Sequence, residues 1–109
     1  MPLRMLLAAA ATAVLCSLAV TAEAKPARCF ASDDGEYACD FVATDRQGSF
    51  EISAPGRPTF SLVMEAPGVA FGYGDYGEGG VALPGRYLRS QSDPACWVND
   101  ETGARLCAW

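Results

Sequence analysis

Residues 36–43 read EYACDFVA, and the aromatic side chains and the cysteine fall on every second position. Because successive side chains of a β-strand point to opposite faces, this alternation predicts a strand with one buried face. The turn-forming residues Asp45-Arg46-Gln47-Gly48 follow closely. The strand is therefore expected to end shortly before them.

The same alternation recurs along the rest of the chain. Further strands are predicted at residues 49–54, 59–64, 69–73, 81–83, 86–89, 95–98 and 105–109. Pro84-Gly85 is expected to interrupt one strand, and the sequence leaves open whether the glycine-rich segment 68–80 is loop or strand. No segment after residue 24 has the 3.6-residue apolar period of a helix. The sequence predicts an all-β domain, a small antiparallel barrel or sandwich of about six to eight short strands.

The first 24 residues have the organisation of a secretory signal peptide. A short basic start, Met1 to Arg4, precedes an apolar run from Met5 to Val20 and the small-x-small site Ala22-Glu23-Ala24. The run is too short for a membrane span. We therefore expect cleavage near Ala24, no membrane span, and one secreted or periplasmic domain of residues 25–109.

Four cysteines follow residue 24, namely Cys29, Cys39, Cys96 and Cys107. An even number in a short exported chain predicts two disulfides, which a domain with a small core needs. Turn-forming residues lie between the first two cysteines and between the last two, so each pair is expected to face across a hairpin. We favour Cys29–Cys39 and Cys96–Cys107. A nested pairing, Cys39 with Cys107 and Cys29 with Cys96, stays open.

Composition excludes several functions. The chain has no histidine, so Ser-His-Asp and Cys-His catalysis are excluded. Its formal net charge of −5 disfavours nucleic-acid binding, which needs a basic surface. An acidic protein attracts cationic partners instead. We expect no cofactor and no nucleic acid, and as partner a cationic protein outside the cytoplasm or a cell-wall sugar.

Residues 72–77 match the dinucleotide-binding pattern G-x-G-x-x-G. That pattern binds a nucleotide only where a helix follows it. Here Glu78-Gly79-Gly80 and a predicted strand follow, so a nucleotide cofactor is not expected.

A binding loop is the better interpretation of this segment. Phe71, Tyr73 and Tyr76 are interleaved with glycines, and Asp75 adds an acceptor. Glycine allows close approach of a partner, and tyrosine supplies contact area at low entropic cost. The alternative is a twisted strand whose rings are divided between core and rim.

Arg86 and Tyr87 are residue types that often anchor interfaces. The alternative is that such cations pair with the surplus carboxylates of the surface. Together with the loop, the predicted binding residues are Phe71, Tyr73, Asp75, Tyr76, Arg86 and Tyr87.

Two predicted turns are rich in side-chain oxygen. They contain Asp33, Asp34 and Glu36 in one case, and Asn99, Asp100 and Glu101 in the other. The ligand spacing of a calcium loop is missing, and nothing indicates the two carboxylates across a cleft that a glycosidase needs. Solvated turn residues are expected, with no metal site and no catalytic residue.

The chain carries Tyr-x-Cys-Asp at 37–40, Gly-Arg-Tyr at 85–87, a tryptophan strand with an acidic turn at 97–104, and a closing Cys107. This order resembles the bacterial inhibitors of C-type lysozyme. The resemblance implies a small exported β-barrel that inserts loop residues into the lysozyme cleft.

Two inhibitory motifs of that family are altered here. The Ser-Gly-x-x-Tyr loop corresponds to Pro84-Gly85-Arg86-Tyr87, and Trp-x-Lys-Gly corresponds to Trp97-Val98-Asn99-Asp100, which lacks the lysine. The resemblance therefore implies the fold more than the activity. The function expected is an exported, non-catalytic binding or inhibitor-type domain. The alternative is a structural or assembly component of the bacterial cell envelope.

Overall fold

Nine β-strands and no helix make up residues 23–109, the part of the chain that the computed structural model describes. The strands are Lys25–Ala31 (β1), Gly35–Ala43 (β2), Phe50–Ser53 (β3), Thr59–Ala66 (β4), Val69–Asp75 (β5), Gly80–Ala82 (β6), Tyr87–Arg89 (β7), Cys96–Asn99 (β8) and Arg105–Ala108 (β9). The predicted all-β fold is confirmed. The predicted signal peptide lies outside the described residues except for Glu23 and Ala24, so it stays a prediction.

Eight of the strands close an antiparallel barrel. They pair in the order β1-β2-β3-β4-β5-β7-β8-β9, and β9 pairs back with β1, where Phe30 lies opposite Cys107. Closure gives each of these strands a partner on both edges, which removes the exposed edges of an open sheet.

The extra strand, β6, shares one edge of β5 with β7. Gly80–Ala82 lie opposite Tyr73–Asp75, whereas Tyr87 lies opposite Ala70 farther along β5. The interruption predicted at Pro84-Gly85 is therefore confirmed, and it lies where the chain leaves β5.

The interrupting residues pack against the turn between β8 and β9. The Asn99 side-chain amide donates to the Pro84 carbonyl at 2.7 Å, and the Arg86 N–H donates to Asp100 Oδ1 at 2.9 Å. Gly85 has a φ of 61°. A Cβ there would lie 2.6 Å from Asp100 Oδ1, so only glycine fits this approach.

The glycine-rich segment is mostly strand. β5 continues to Asp75, a turn covers residues 76–79, and β6 begins at Gly80. Ala70, Gly72 and Gly74 point into the barrel, while Phe71 and Tyr73 point outward. The smallest residues of β5 thus face the core, and its two aromatic rings face outward.

Large side chains from the other strands fill the interior opposite these small residues. Trp97 is 2% exposed and lies 6.4 Å from the Phe50 ring, centroid to centroid. The core also contains Ala31, Tyr37, Ile52, Phe60, Leu62, Tyr87 and Leu106. The barrel is therefore a packed core and not an open pore.

Both favoured disulfides are present, and the nested pairing is not adopted. Cys96 and Cys107 lie directly opposite each other on β8 and β9. Cys29 faces Tyr37 across β1 and β2, so its bond to Cys39 runs diagonally. Two disulfides are consistent with an oxidising compartment outside the cytoplasm. Among residues 23–109, no helix is long or apolar enough to cross a membrane.

Candidate binding site

Four turns meet at one end of the barrel, which we call the turn end. It consists of residues 32–34, 54–58, 76–79 and 100–104. In an antiparallel barrel alternate connections fall at the same end, and the 32–34 turn contacts both the start of β9 and the 54–58 turn. The Arg105 N–H donates to Ser32 Oγ at 2.7 Å, and Arg57 pairs with Asp34 at 3.7 Å.

Carboxylates dominate the turn end. Those in the four turns or at the adjoining end of β5 are Asp33, Asp34, Asp75, Glu78, Asp100 and Glu101. Within the four turns Arg57 is the only cation, and it pairs with Asp34. This end therefore has a negative potential that attracts cations.

Asp75 shapes the turn between β5 and β6. Its Oδ1 atom accepts hydrogen bonds from the Gly77 N–H at 2.8 Å and from the Gly79 N–H at 3.2 Å. The predicted binding residue Asp75 thus has a local structural contact that holds Tyr76 in place.

Tyr76 stands at the turn end with 60% of its surface exposed. Its ring covers Gly74, where a Cβ would lie 2.9 Å away, and it packs edge-on against Phe60 at 6.1 Å between centroids. Beside it a cavity of about 450 Å³ opens towards Leu83 and the 100–104 turn. An exposed ring beside a cavity suits a side chain or ring of a partner.

Tyr87 forms part of the inner wall of that cavity and is only 4% exposed. Adjacent strand residues point to opposite faces, so Leu88 is exposed and Tyr87 points inward. Tyr87 therefore lies at the wall of the cavity and not on the outer face, and its role in binding stays a prediction. Burial raises the pKa of its hydroxyl, which a side-chain hydrogen bond with Asn99 partly offsets.

Phe71, Tyr73 and Arg86 lie on the outer face of the barrel. The Arg86 guanidinium is 4.9 Å from the centroid of the Phe71 ring. It also binds both carboxylate oxygens of Glu65, at 2.5 and 3.3 Å. These bonds lower the pKa of Glu65. Arg86 is thus paired with a surface carboxylate, as the alternative interpretation expected.

Exposed apolar side chains surround this ion pair. Phe71 lies directly opposite Val63 on β4, and Leu88 on β7 is also exposed. The six predicted binding residues therefore lie at three different places on the barrel. Phe71, Tyr73 and Arg86 share the outer face, Asp75 and Tyr76 share the turn end, and Tyr87 is internal.

Two contacts at these surfaces had no local signal in the sequence. Glu65 reaches Arg86 over 21 residues of chain because β4, β5 and β7 are neighbours. The Arg57 guanidinium lies 4.4 Å from the Tyr37 ring centroid.

Tyr37 itself is buried, and its hydroxyl has no hydrogen-bond partner among the described residues. Burial raises its pKa, and the nearby Asp34 carboxylate raises it further. A buried hydroxyl that lacks a partner generally costs stability.

Residues 23–109 contain no group of three or more Cys, Asp or Glu side chains that is arranged to hold a metal ion. The chain matches no protein-family model, no curated protein and no solved structure.

Proposed function

We propose that residues 25–109 form an exported, non-catalytic binding domain of the inhibitor type. Its partner is a cationic protein outside the cytoplasm, received at the turn end. The observation that carries this proposal is the grouping of carboxylates from separate turns around the exposed ring of Tyr76.

The charge distribution supports a cationic partner. The four turns carry five carboxylates, and Asp75 lies at the adjoining end of β5. The neighbouring cations are Arg57, which pairs with Asp34, and Arg105 at the start of β9. Such a surface accelerates encounter with a protein of opposite charge and disfavours anionic partners. Tyr76 adds aromatic contact area within that field, as interface anchors commonly do.

The resemblance to the inhibitors of C-type lysozyme identifies a suitable probe. Those lysozymes are cationic, so they suit a binding surface of negative potential. The altered inhibitory motifs include Tyr87, which is buried. Contact with a lysozyme would therefore use the turn end and not a copy of the family loop.

The experiment measures binding of a C-type lysozyme to oxidised Lys25–Trp109 at low and moderate salt. The test variant is Glu78→Gln with Glu101→Gln, at the turn end. The control is Asp40→Asn with Asp45→Asn, on β2 and in the connection that follows it, which changes the net charge equally. Each exposed ion pair contributes up to about 1 kcal/mol, or about fivefold in affinity.

We expect the turn-end variant to lose affinity and much of its salt dependence, while the control stays close to the original protein. Equal losses in both variants would contradict a specific site and indicate attraction by net charge alone. Absence of lysozyme binding at low salt would reject lysozyme as the partner. An envelope extract passed over the same immobilised domain would then have to yield another cationic protein.

A further inference from the structure

β6 has an unpaired edge. Within residues 23–109 every other strand has partners on both edges, but β6 pairs with β5 alone. Its three residues, Gly80, Val81 and Ala82, are all exposed. The chain then turns away at Pro84, so β7 and not β6 pairs with β8.

The ladder shows which backbone groups of β6 are free. The Leu83 N–H donates to the Gly72 carbonyl at 2.9 Å. In an antiparallel ladder, residues that bond to the partner strand alternate with residues whose N–H and C=O point away from it. Gly80 and Ala82 therefore direct their N–H and C=O groups to the open edge.

The N–H and C=O groups of Gly80 consequently lie about 6.6–6.8 Å along this edge from those of Ala82. Among the described residues, no backbone hydrogen bond from outside the β5–β6 ladder reaches Gly80 or Ala82. The backbone groups of an added β-strand have the same spacing, so they can form hydrogen bonds with these free groups.

Carboxylates flank both ends of the open edge. At one end Asp75 lies opposite Gly80, and Glu78 precedes β6 in the turn. At the other end the Asp100 and Glu101 side chains lie against Gly85. A strand that pairs with β6 would therefore have a negative charge near each of its ends.

We infer that the open edge of β6 binds an extended cationic segment of the partner protein by β-strand addition. This inference rests on the proposed function, because it specifies how the turn end holds a cationic protein. Backbone hydrogen bonds to Gly80 and Ala82 supply the register, and the flanking carboxylates select lysine or arginine.

The probe is the peptide acetyl-Lys-Val-Thr-Val-Lys-amide at low salt. One derivative is N-methylated at both valines and another at the lysines and threonine, which removes amide donors from opposite edges of the peptide. Strand addition uses one edge only. We expect one derivative to bind at least about tenfold more weakly than the parent, and the other to bind like the parent.

Amide hydrogen exchange gives an independent readout on the protein. Saturating peptide should slow exchange at Gly80 and Ala82 by at least about tenfold, with little change at Val81, which already bonds to β5. The variant Ala82→Pro removes one edge donor without changing charge, and Ala82→Ser is its control. If the proline variant does not fold, hydrogen exchange and the N-methylated peptides still test strand addition on the original domain.

Equal binding by both methylated peptides, or unchanged exchange at Gly80 and Ala82, would overturn strand addition. If a C-type lysozyme still bound through Glu78 and Glu101, the proposed function would stand without strand addition. If no peptide bound while lysozyme did, the inference alone would fall. Failure of both probes would overturn strand addition and reject lysozyme as the partner, and the envelope extract would then decide the proposed function.

Discussion

A Cβ atom at position 72 would lie 2.5 Å from the ring of Tyr87. The space above Gly72 is thus the space that the Tyr87 ring fills inside the barrel. Gly74 has a similar relationship with Tyr76, at 2.9 Å. The difference is that Tyr87 is buried, whereas Tyr76 is mostly exposed.

This difference predicts unequal effects of two alanine substitutions. Gly72→Ala should lower the free energy of unfolding by about 1–3 kcal/mol, because a buried ring must shift. Gly74→Ala should cost less than about 1 kcal/mol, because the exposed Tyr76 ring can move away. Urea unfolding measures both values, because at a common dependence of free energy on urea concentration the shift in midpoint gives the change in stability. Equal losses in the two variants would contradict the packing described for β5.

The two buried tyrosines predict opposite responses to loss of the hydroxyl. Tyr37→Phe removes a buried group without a partner among the described residues, so stability should stay the same or rise by about 1 kcal/mol. Tyr87→Phe removes a hydroxyl that interacts with the Asn99 side chain and should lower stability by up to about 1 kcal/mol. Thermal unfolding at neutral pH compares the two. A loss in Tyr37→Phe would indicate a partner for that hydroxyl.

The same tyrosines predict weakening at high pH. Burial raises the pKa of Tyr37 and Tyr87 above the ordinary value of 10.0, so the native state keeps both protons after the unfolded chain has begun to lose them. Their contribution is fully present below about pH 10 and is lost as the pH rises through the native values. Urea unfolding between about pH 8 and 11 should show a falling free energy. The decline should be shallower in Tyr37→Phe, and a pH-independent free energy would contradict the assignment.

Much of the fold could be predicted because strand alternation and turn residues are local signals. EYACDFVA became β2, and the turn chemistry between cysteines identified both disulfides. The inward face of β5 could not be predicted in this way, since Phe71 and Tyr73 are larger than Gly72 and Gly74. The rings that fill that space belong to Tyr76 and Tyr87, on a later turn and strand.

The candidate site was predictable only in part. Adjacent strand residues face opposite sides, so Arg86 and Tyr87 could not both be surface residues, and the sequence contained that signal. The pairing of Arg86 with Glu65 depends on the order of β4, β5 and β7 around the barrel. No local pattern encodes this order, so the contact required the closed topology.

The disulfides predict a simple peptide map. Within residues 25–109 trypsin cleaves after Arg28, Arg46, Arg86, Arg89 and Arg105, whereas Lys25 and Arg57 are each followed by proline. Without reduction, Cys29–Cys39 stays within one peptide, while Cys96–Cys107 joins residues 90–105 to residues 106–109. A peptide containing residues 29–46 linked to either of these would contradict the pairing.

Removing each disulfide should destabilise the barrel to a similar extent. The two bonds span sequence separations of 10 and 11 residues. Cys29→Ala with Cys39→Ala, or Cys96→Ala with Cys107→Ala, should therefore each cost about 2–3 kcal/mol. Urea unfolding of the two double variants measures the loss. A stability equal to that of the original protein in either variant would show that the bond constrains little.

The proposed binding role of the exposed tyrosines requires that they be dispensable for folding. Tyr73 is 38% exposed on the outer face, and Tyr76 contacts the barrel mainly through Gly74 and Phe60. Tyr73→Ala and Tyr76→Ala should each cost about 1 kcal/mol or less. Tyr87→Ala, the matched buried control, should cost about 3–5 kcal/mol because it leaves a cavity. Near-ultraviolet circular dichroism and thermal unfolding distinguish the variants of the exposed tyrosines from the variant of the buried one. If Tyr76→Ala unfolded like Tyr87→Ala, the ring would belong to the core, and a partner at the turn end would have to be held by the carboxylates alone.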